Sequence, residues 1–345
     1  MRRLLIPAAL LALGTFPARA QDGTTFRAGP SFVSYKVGDA TTSQMVLPMV
    51  AVIPVSSRFT IDIATAFATT QFSQGGGTSS ISGLTDTQLR ANYALNGDNL
   101  VLTFGFNIPT GKSAITSDQL LAAQAIGIDF FTFPVPAYGT GLAGTVGLAY
   151  AAQAGDWEIG AGGSFRKATS FEPASGSSAK YTPGDEYRLR FGAARAVGEG
   201  RLSLGVIFSA FGTPTYDTTT ISTGARAIVQ AVYSHPVGSN ELFLTLWNLY
   251  TGSGKLLAGA AEASNILNVG VAYGIRQGSL TWEPNVEGRI ISQGSATGKL
   301  VFPGLRVRIP AANWTIFPGA SAVFGSVVGQ SVSGVRATLG IQYVP

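Results

Sequence analysis

Aromatic residues recur at one kind of place in this chain, where a stretch of two-residue alternation meets a short turn. Tyr93, Tyr150, Tyr233, Tyr273 and Tyr343 each close a stretch of alternating apolar residues. Phe59, Trp157, Phe243, Trp282 and Trp314 each open the next one. Alternation with period two marks a strand whose two faces meet different surroundings. Rings with one apolar and one wet end settle at a membrane–water interface. Many amphipathic strands with such rings at one end form the girdle of a transmembrane β-barrel.

The composition fits that geometry. Only 12% of the 345 residues are charged, yet after residue 20 no apolar run reaches the roughly 18 residues that mark a spanning helix. A barrel needs no such run, because every second residue faces a polar lumen. A soluble all-β protein accounts for the alternation but not for the low charge or the placement of the aromatics.

Residues 1–20 have the pattern of a secretory signal. Arg2 and Arg3 precede the apolar stretch from Leu4 to Phe16, and Ala18-Arg19-Ala20 is a small-x-small cleavage site. Such a segment directs export through the Sec pathway and leaves residues 21–345 as one barrel domain in a bacterial outer membrane. The apolar stretch is too short for a membrane anchor. Without residues 1–20, 20 basic and 18 acidic residues remain, since three of the 23 basic residues lie in the signal. The net charge falls to about +2, so the basic balance implies no nucleic-acid partner. The chain has no Cys, which excludes disulfides and thiol chemistry.

Alternation predicts sixteen strands, with fourteen as the alternative. They fall near 25–36, 42–53, 58–72, 83–95, 99–109, 139–153, 156–167, 185–196, 201–212, 223–235, 241–251, 264–276, 280–291, 298–309, 313–325 and 332–344. Every second connection is short and built of turn formers, as in Pro54-Val55-Ser56-Ser57, Asn96-Gly97-Asp98, Ala154-Gly155 and Gln277-Gly278. The intervening ones are mostly longer and rich in Gly, Ser and Thr, as in 74–80, 169–184 and 213–222. That is the asymmetry of periplasmic turns and external loops. An even strand count puts both termini in the periplasm. The last strand carries Val335, Ala337, Leu339, Ile341 and Tyr343 on one face, and Val344 and Pro345 follow the terminal aromatic.

The same alternation sorts side chains between lipid and lumen. Phe59, Ile61 and Ile63 face out, which turns Asp62 inward. Leu89 and Tyr93 face out, so Asp86, Gln88, Arg90 and Asn92 face in. Likewise Glu186, Arg188 and Arg190, then Glu283, Glu287 and Arg289, then Arg306 and Arg308 are expected in the lumen. A charge on the lipid face at mid-depth costs about 2–4 kcal/mol, which is the basis of the sorting. Two readings of these charges stay open: they pair with one another and hold the barrel round, or the arginines also line a solute path.

Residues 110–138 form the longest connection and an unusually apolar one. Asp118–Ile126 has the composition of two helical turns capped by Ser117 or Asp118. Phe130, Phe131 and Phe133 follow, stiffened by Pro134 and Pro136. Folded inward, the segment makes an aromatic constriction suited to a small hydrophobic solute. Folded outward, it meets outer-membrane lipid and lipopolysaccharide.

No catalytic or metal-ligating constellation is present. His235 is the single His and sits in a predicted turn beside Pro236, so neither a Ser–His pair nor a His-rich metal site is expected. No cofactor is implied. The Gly160–Gly163 stretch lies in a strand and is not followed by the Lys and helix of a phosphate loop.

One stretch resembles a known family. Ser82-Gly83-Leu84-Thr85-Asp86-Thr87-Gln88-Leu89, then Tyr93, then Leu100 to Gly111 ending Ile108-Pro109-Thr110-Gly111, is similar to the transporter-like family of the MetA pathway of phenol degradation, within the FadL-like outer-membrane barrels. The match covers about residues 45–112. The resemblance implies passive uptake of aromatic or other hydrophobic small molecules. It also implies a departure, because too few residues separate Gln21 from the first strand to form the N-terminal hatch of the fatty-acid transporters. Any plug has to come from residues 110–138 or from lumen side chains. A general porin for polar solutes and a structural or adhesive barrel remain alternatives. Oligomeric state is not legible.

Because the chain has no native Cys, single cysteines report topology directly. Gly76→Cys and a cysteine within 169–184 should react with an impermeant maleimide on intact cells, and Asn96→Cys only after permeabilisation. The reverse pattern would invert the barrel.

Overall fold

The computed structural model describes residues 24–95, 99–257 and 259–343. The segment read as a signal and the expected turn at 96–98 lie outside the described residues, as do residues 21–23, 258, 344 and 345. Eighteen strand segments join in one antiparallel sheet, and two of its walls are each built from two segments. The result is a closed barrel of sixteen strands.

In chain order these are β1 (Thr25–Ala28 and Ser31–Val37), β2 (Ala40–Pro54), β3 (Phe59–Gln74), β4 (Gly77–Leu84 and Thr87–Leu95), β5 (Leu100–Ile108), β6 (Ala143–Ala154), β7 (Trp157–Ala168) and β8 (Glu186–Val197). They continue as β9 (Gly200–Phe211), β10 (Arg226–Val237), β11 (Asn240–Thr251), β12 (Ser264–Gln277), β13 (Leu280–Gln293), β14 (Ala296–Ala311), β15 (Trp314–Val327) and β16 (Gln330–Tyr343). Each pairs with its chain neighbours. β16 returns to β1 with Phe26 opposite Tyr343 and Val33 opposite Arg336. Closure satisfies the backbone groups that an open edge would leave bare in lipid.

Sixteen strands is therefore the observed number, and each predicted strand has its counterpart. The start of β4 is the main difference. The predicted loop at 74–80 is a tight turn at Gly75 and Gly76, with φ of 58° and 82°, and pairing resumes at Gly77. The Gly/Ser/Thr composition reads as a loop, but this end of the strand lies beyond the lipid band and needs no apolar outer face. His235 also lies in a strand rather than a turn, opposite Leu242, with its ring stacked on Tyr233.

Outward positions carry large apolar side chains around the barrel, for example Phe106 and Phe191, each 55% exposed. Such a continuous apolar belt on a closed barrel is a membrane-spanning surface. At the short-turn end the aromatics meet in pairs. Phe59 lies opposite Tyr93 with ring centroids 6.5 Å apart, and Trp314 lies opposite Tyr343 at 4.8 Å. The long connections gather at the opposite end. Two of them carry small hairpins, pairing Tyr216 with Thr219 and Lys255 with Ala260, and Tyr181 of a third connection pairs with Tyr216.

Face assignment has an energetic test. Leu89 sits outward between Ile63 and Phe106 on neighbouring strands, while Gln88 points to the lumen. Leu89→Arg should lower folding stability in lipid by about 2–4 kcal/mol. Gln88→Arg should change it by well under half of that, as read from urea titrations of the folded barrel in vesicles.

Candidate functional site: a loop folded into the lumen

The β5–β6 connection turns inward and crosses the barrel. Its first part forms a 3-10 turn at Ser117–Gln119 that runs into an α-helix at Leu120–Ile126, labelled α1. The cap is Thr116, not Ser117 or Asp118 as the sequence suggests. Gln119 reaches back to accept the Thr116 N–H at 3.4 Å. The Gln119 N–H donates to the Thr116 carbonyl at 3.0 Å, so the first turn begins one residue earlier than expected. Ser79 on β4 docks it by donating to the Asp118 carbonyl at 2.6 Å and accepting the Ala122 N–H at 3.1 Å.

The extended part of the loop packs on β1 to β4. Gln44, fully buried, exchanges two hydrogen bonds with the Val135 backbone, donating to its carbonyl at 2.7 Å and accepting its N–H at 2.9 Å. One side chain thus does for the loop what a neighbouring strand would do. Tyr138 donates to the Ile81 carbonyl at 2.9 Å and lies 3.0 Å from Thr70 Oγ1. Burial pushes its phenol pKa up, so it stays protonated and donating. Tyr35 donates to the Phe131 carbonyl at 3.0 Å, and its ring meets Phe131 and Phe133 at 4.9 and 5.4 Å.

Phe131 and Phe133 are 9% and 5% exposed, in a core that includes Val46, Ile266, Leu300 and Phe302 from the walls. Burying side chains of this kind contributes about 1.5–3 kcal/mol each. Their rings pack among lumen-facing side chains of β1 to β4 and β11 to β16, and Phe130 packs at the margin of the same core. What crosses the lumen is the segment that these rings anchor, rather than the ring faces.

The loop is clasped at its base. Asp86 sits in the gap between the two segments of β4. Its carboxylate accepts the Gly111 N–H at 3.1 Å, the Thr140 N–H at 2.7 Å and the Asn107 amide at 2.8 Å. Its own N–H donates to the Tyr138 carbonyl at 3.0 Å. One residue thereby ties the outgoing and returning ends together. A Cβ on Gly111 would lie 2.0 Å from the Tyr138 carbonyl oxygen, so only glycine fits there.

The far end of the loop reaches two walls. The Phe130 carbonyl accepts from Arg289 on β13 at 2.8 Å, and Asp129 pairs with Arg226 on β10 at 2.5 Å. The remaining predicted lumen residues fall into three groups. On β13 to β16, Glu283 binds Arg306 and Arg308, Glu287 binds Arg289 at 3.1 Å, and Arg336 joins the same network above Phe302. On β3 to β5, Asp62 accepts from Asn92 at 3.0 Å, and Asn92 accepts from Thr103 at 3.0 Å. Gln88 and Arg90 line the same wall without a side-chain hydrogen bond among the described residues. On β8, Glu186 holds Arg188 at 2.5 Å, and Arg190 lies between Gly162 and Ile207 on the flanking strands. Sequence reasoning missed Tyr35, Gln44, Asp129 and Arg226. Gln44 carried a signal, being a polar inward residue among Met45, Val46 and Leu47.

Residues 30–232 match the family described as "Putative MetA-pathway of phenol degradation". The chain belongs to this family. No curated protein matches it. Among solved structures it is similar to CdiB from Acinetobacter baumannii, at 9% identity over 92% of this chain and 60% of that one, with a TM-score of 0.52. It is also similar to a bacterial polysaccharide outer membrane secretin, at 9% identity over 94% and 99% of the two chains and a TM-score of 0.50. An outer membrane channel from Pseudomonas putida F1 aligns at 13% identity over 94% and 96%, with a TM-score of 0.40. The first two likenesses share the barrel fold. The phenol-pathway match covers more than half of the chain and includes both β4 and the whole inward loop, so the Asp86 clasp lies inside the family's region.

Asp86→Ala leaves the Gly111 and Thr140 N–H groups unpaired, at about 1–3 kcal/mol each. The loop should loosen while the barrel stays closed. Protease cleavage within 110–138 and single-channel conductance should both rise, and Asp86→Asn should fall between. An unchanged cleavage rate would remove the clasp from consideration.

Proposed function

We propose that this outer-membrane channel-type barrel passes small hydrophobic or aromatic solutes by passive diffusion, with residues 110–138 as its selectivity element. The reading rests on one observation: an apolar-cored loop crosses the lumen from Asp86 on one wall to Arg226 on the other. On β5 to β7 the inward positions include Gly105, Gly147 and Gly162, residues without side chains to narrow the lumen. A narrow passage with a stiff apolar edge binds flat apolar solutes at small entropic cost. A purely structural barrel supplies no reason for such a loop. Permeation of this kind needs no chemical step and no cofactor. Outer-membrane lipid surrounds the apolar belt, lipopolysaccharide meets the loop-rich end, and residues 1–20 direct export through the Sec pathway.

A general porin is the second reading, favoured by the polar rung of Asp62, Asn92 and Thr103. Liposome swelling separates the two with lipid-impermeant probes. Phenyl glucoside should enter wild-type proteoliposomes several-fold faster than lactose. Replacing Phe130, Phe131 and Phe133 with Ser should free the loop, raise lactose entry and erase the preference. Equal entry in the wild type favours the general porin, and no entry above protein-free liposomes rejects transport altogether.

A further inference from the structure

The loop divides the lumen arginines into two populations. On β13 to β16, Arg289, Arg306, Arg308 and Arg336 are each hydrogen-bonded, to Glu283, Glu287, Asn268, Tyr35 or the Phe130 carbonyl. On the opposite wall, Arg190 forms no hydrogen bond and no ion pair among the described residues, and its Nε is enclosed. It lies within electrostatic reach of Arg188, Arg90 and Glu186. Arg90 and Arg190 lie opposite Gly105 and Gly162 on the strands next to them, which supply no side chain to either guanidinium.

A cavity of about 300 Å³ opens beside Arg190 along β8, β9 and β10. Its cationic side is Arg188, Arg190 and Arg226, and its apolar side is Ile207, Phe211 and Ile228. Ser209 and Glu186 complete the lining. Arg188 is engaged by Glu186, with Nε donating at 3.0 Å, and also donates to Ser209 at 3.3 Å. Arg226 is engaged by Asp129 of the inward loop. Three guanidinium groups therefore face two carboxylates, and Arg190 is the one that neither carboxylate hydrogen-bonds. Volume and lining match small-ligand sites, which run from about 300 to 1,000 Å³ and combine apolar walls with a few placed polar groups.

We infer that this cavity is a binding station for an aromatic carboxylate. The carboxylate takes the open donors of Arg190, and the ring lies against Ile207, Phe211 and Ile228. Guanidinium groups bind carboxylates through paired N–H donors, which fixes orientation as well as charge. The Asp129–Arg226 pair closes the station on the loop side, so the inward loop and the binding wall meet at one ion pair. This inference rests on the channel reading and narrows its solute class from aromatic molecules in general to aromatic anions.

Binding and conduction are measured separately, so that the two ideas fail separately. Equilibrium dialysis of the mature barrel in detergent uses benzoate and its neutral isostere benzamide. Benzoate should bind at least tenfold more tightly than benzamide. Arg190→Gln should abolish that difference, and Arg190→Lys should retain part of it. Arg195→Gln, which removes a charge lying over Trp157 on the outer face, should leave binding unchanged. Far-UV circular dichroism checks that each variant is folded. In planar bilayers the wild-type KCl current should be anion-selective and blocked by benzoate. Equal binding of benzoate and benzamide, or benzoate binding that survives Arg190→Gln, overturns the station. Benzoate binding to a barrel that carries no current overturns the channel reading and leaves the station standing as a binding site.

Discussion

Backbone hydrogen bonding in a medium without water is the constraint from which the rest of this barrel follows. In lipid, each unpaired N–H or C=O costs several kcal/mol, so the sheet has to close. Closure joins β16 to β1 and sets which residues look outward. Once the outer face is committed to apolar side chains such as Phe106 and Phe191, the polar half of every strand is directed into the lumen. The lumen then holds more charge than so small a space tolerates unpaired, and the Glu283 and Glu287 networks are the response on one wall.

The inward loop solves the same problem at smaller scale. A segment that leaves the sheet loses its ladder and must find other partners for its backbone. Gln44 supplies two of them to Val135, Asp86 supplies partners to Gly111 and Thr140, and Arg289 caps the Phe130 carbonyl. Apolar packing of Phe131 and Phe133 fixes where the loop sits, and these hydrogen bonds make the position affordable. The loop is thus as much a product of β1 to β4 as of its own residues.

This explains what was legible in the sequence. Strand number and the sorting of faces depend on a period of two and on local turns, and both are written residue by residue. Sixteen strands with Leu89 outward and Gln88 inward could be read before any fold was known. Residues 74–80 misled because Gly, Ser and Thr serve both in loops and at strand ends beyond the lipid band. The partners of the loop were not legible, because Gln44 and Val135 are 91 residues apart and only the closed barrel brings them together. The same holds for Asp129 and Arg226, 97 residues apart. Asp86 stood out in the motif, but its task needed Gly111 and Thr140 in place beside it.

The two walls of the lumen differ in what their charges can still do. An arginine whose donors are all taken by carboxylates and carbonyls is a fixed part of the frame, and moving it would uncover buried charge on both sides. Arg289 is such a residue: 4% exposed, bonded to Asn268, Glu287 and the Phe130 carbonyl, and lying over Phe302. Arg190 shares its chemistry but not its partners. Its neighbours across the strands are Gly162 and Ile207, which offer no acceptor on a side chain. The difference therefore originates in which residues the register sets beside each guanidinium. Arg289 is taken up by the frame and by the loop, and Arg190 keeps its outer donors open.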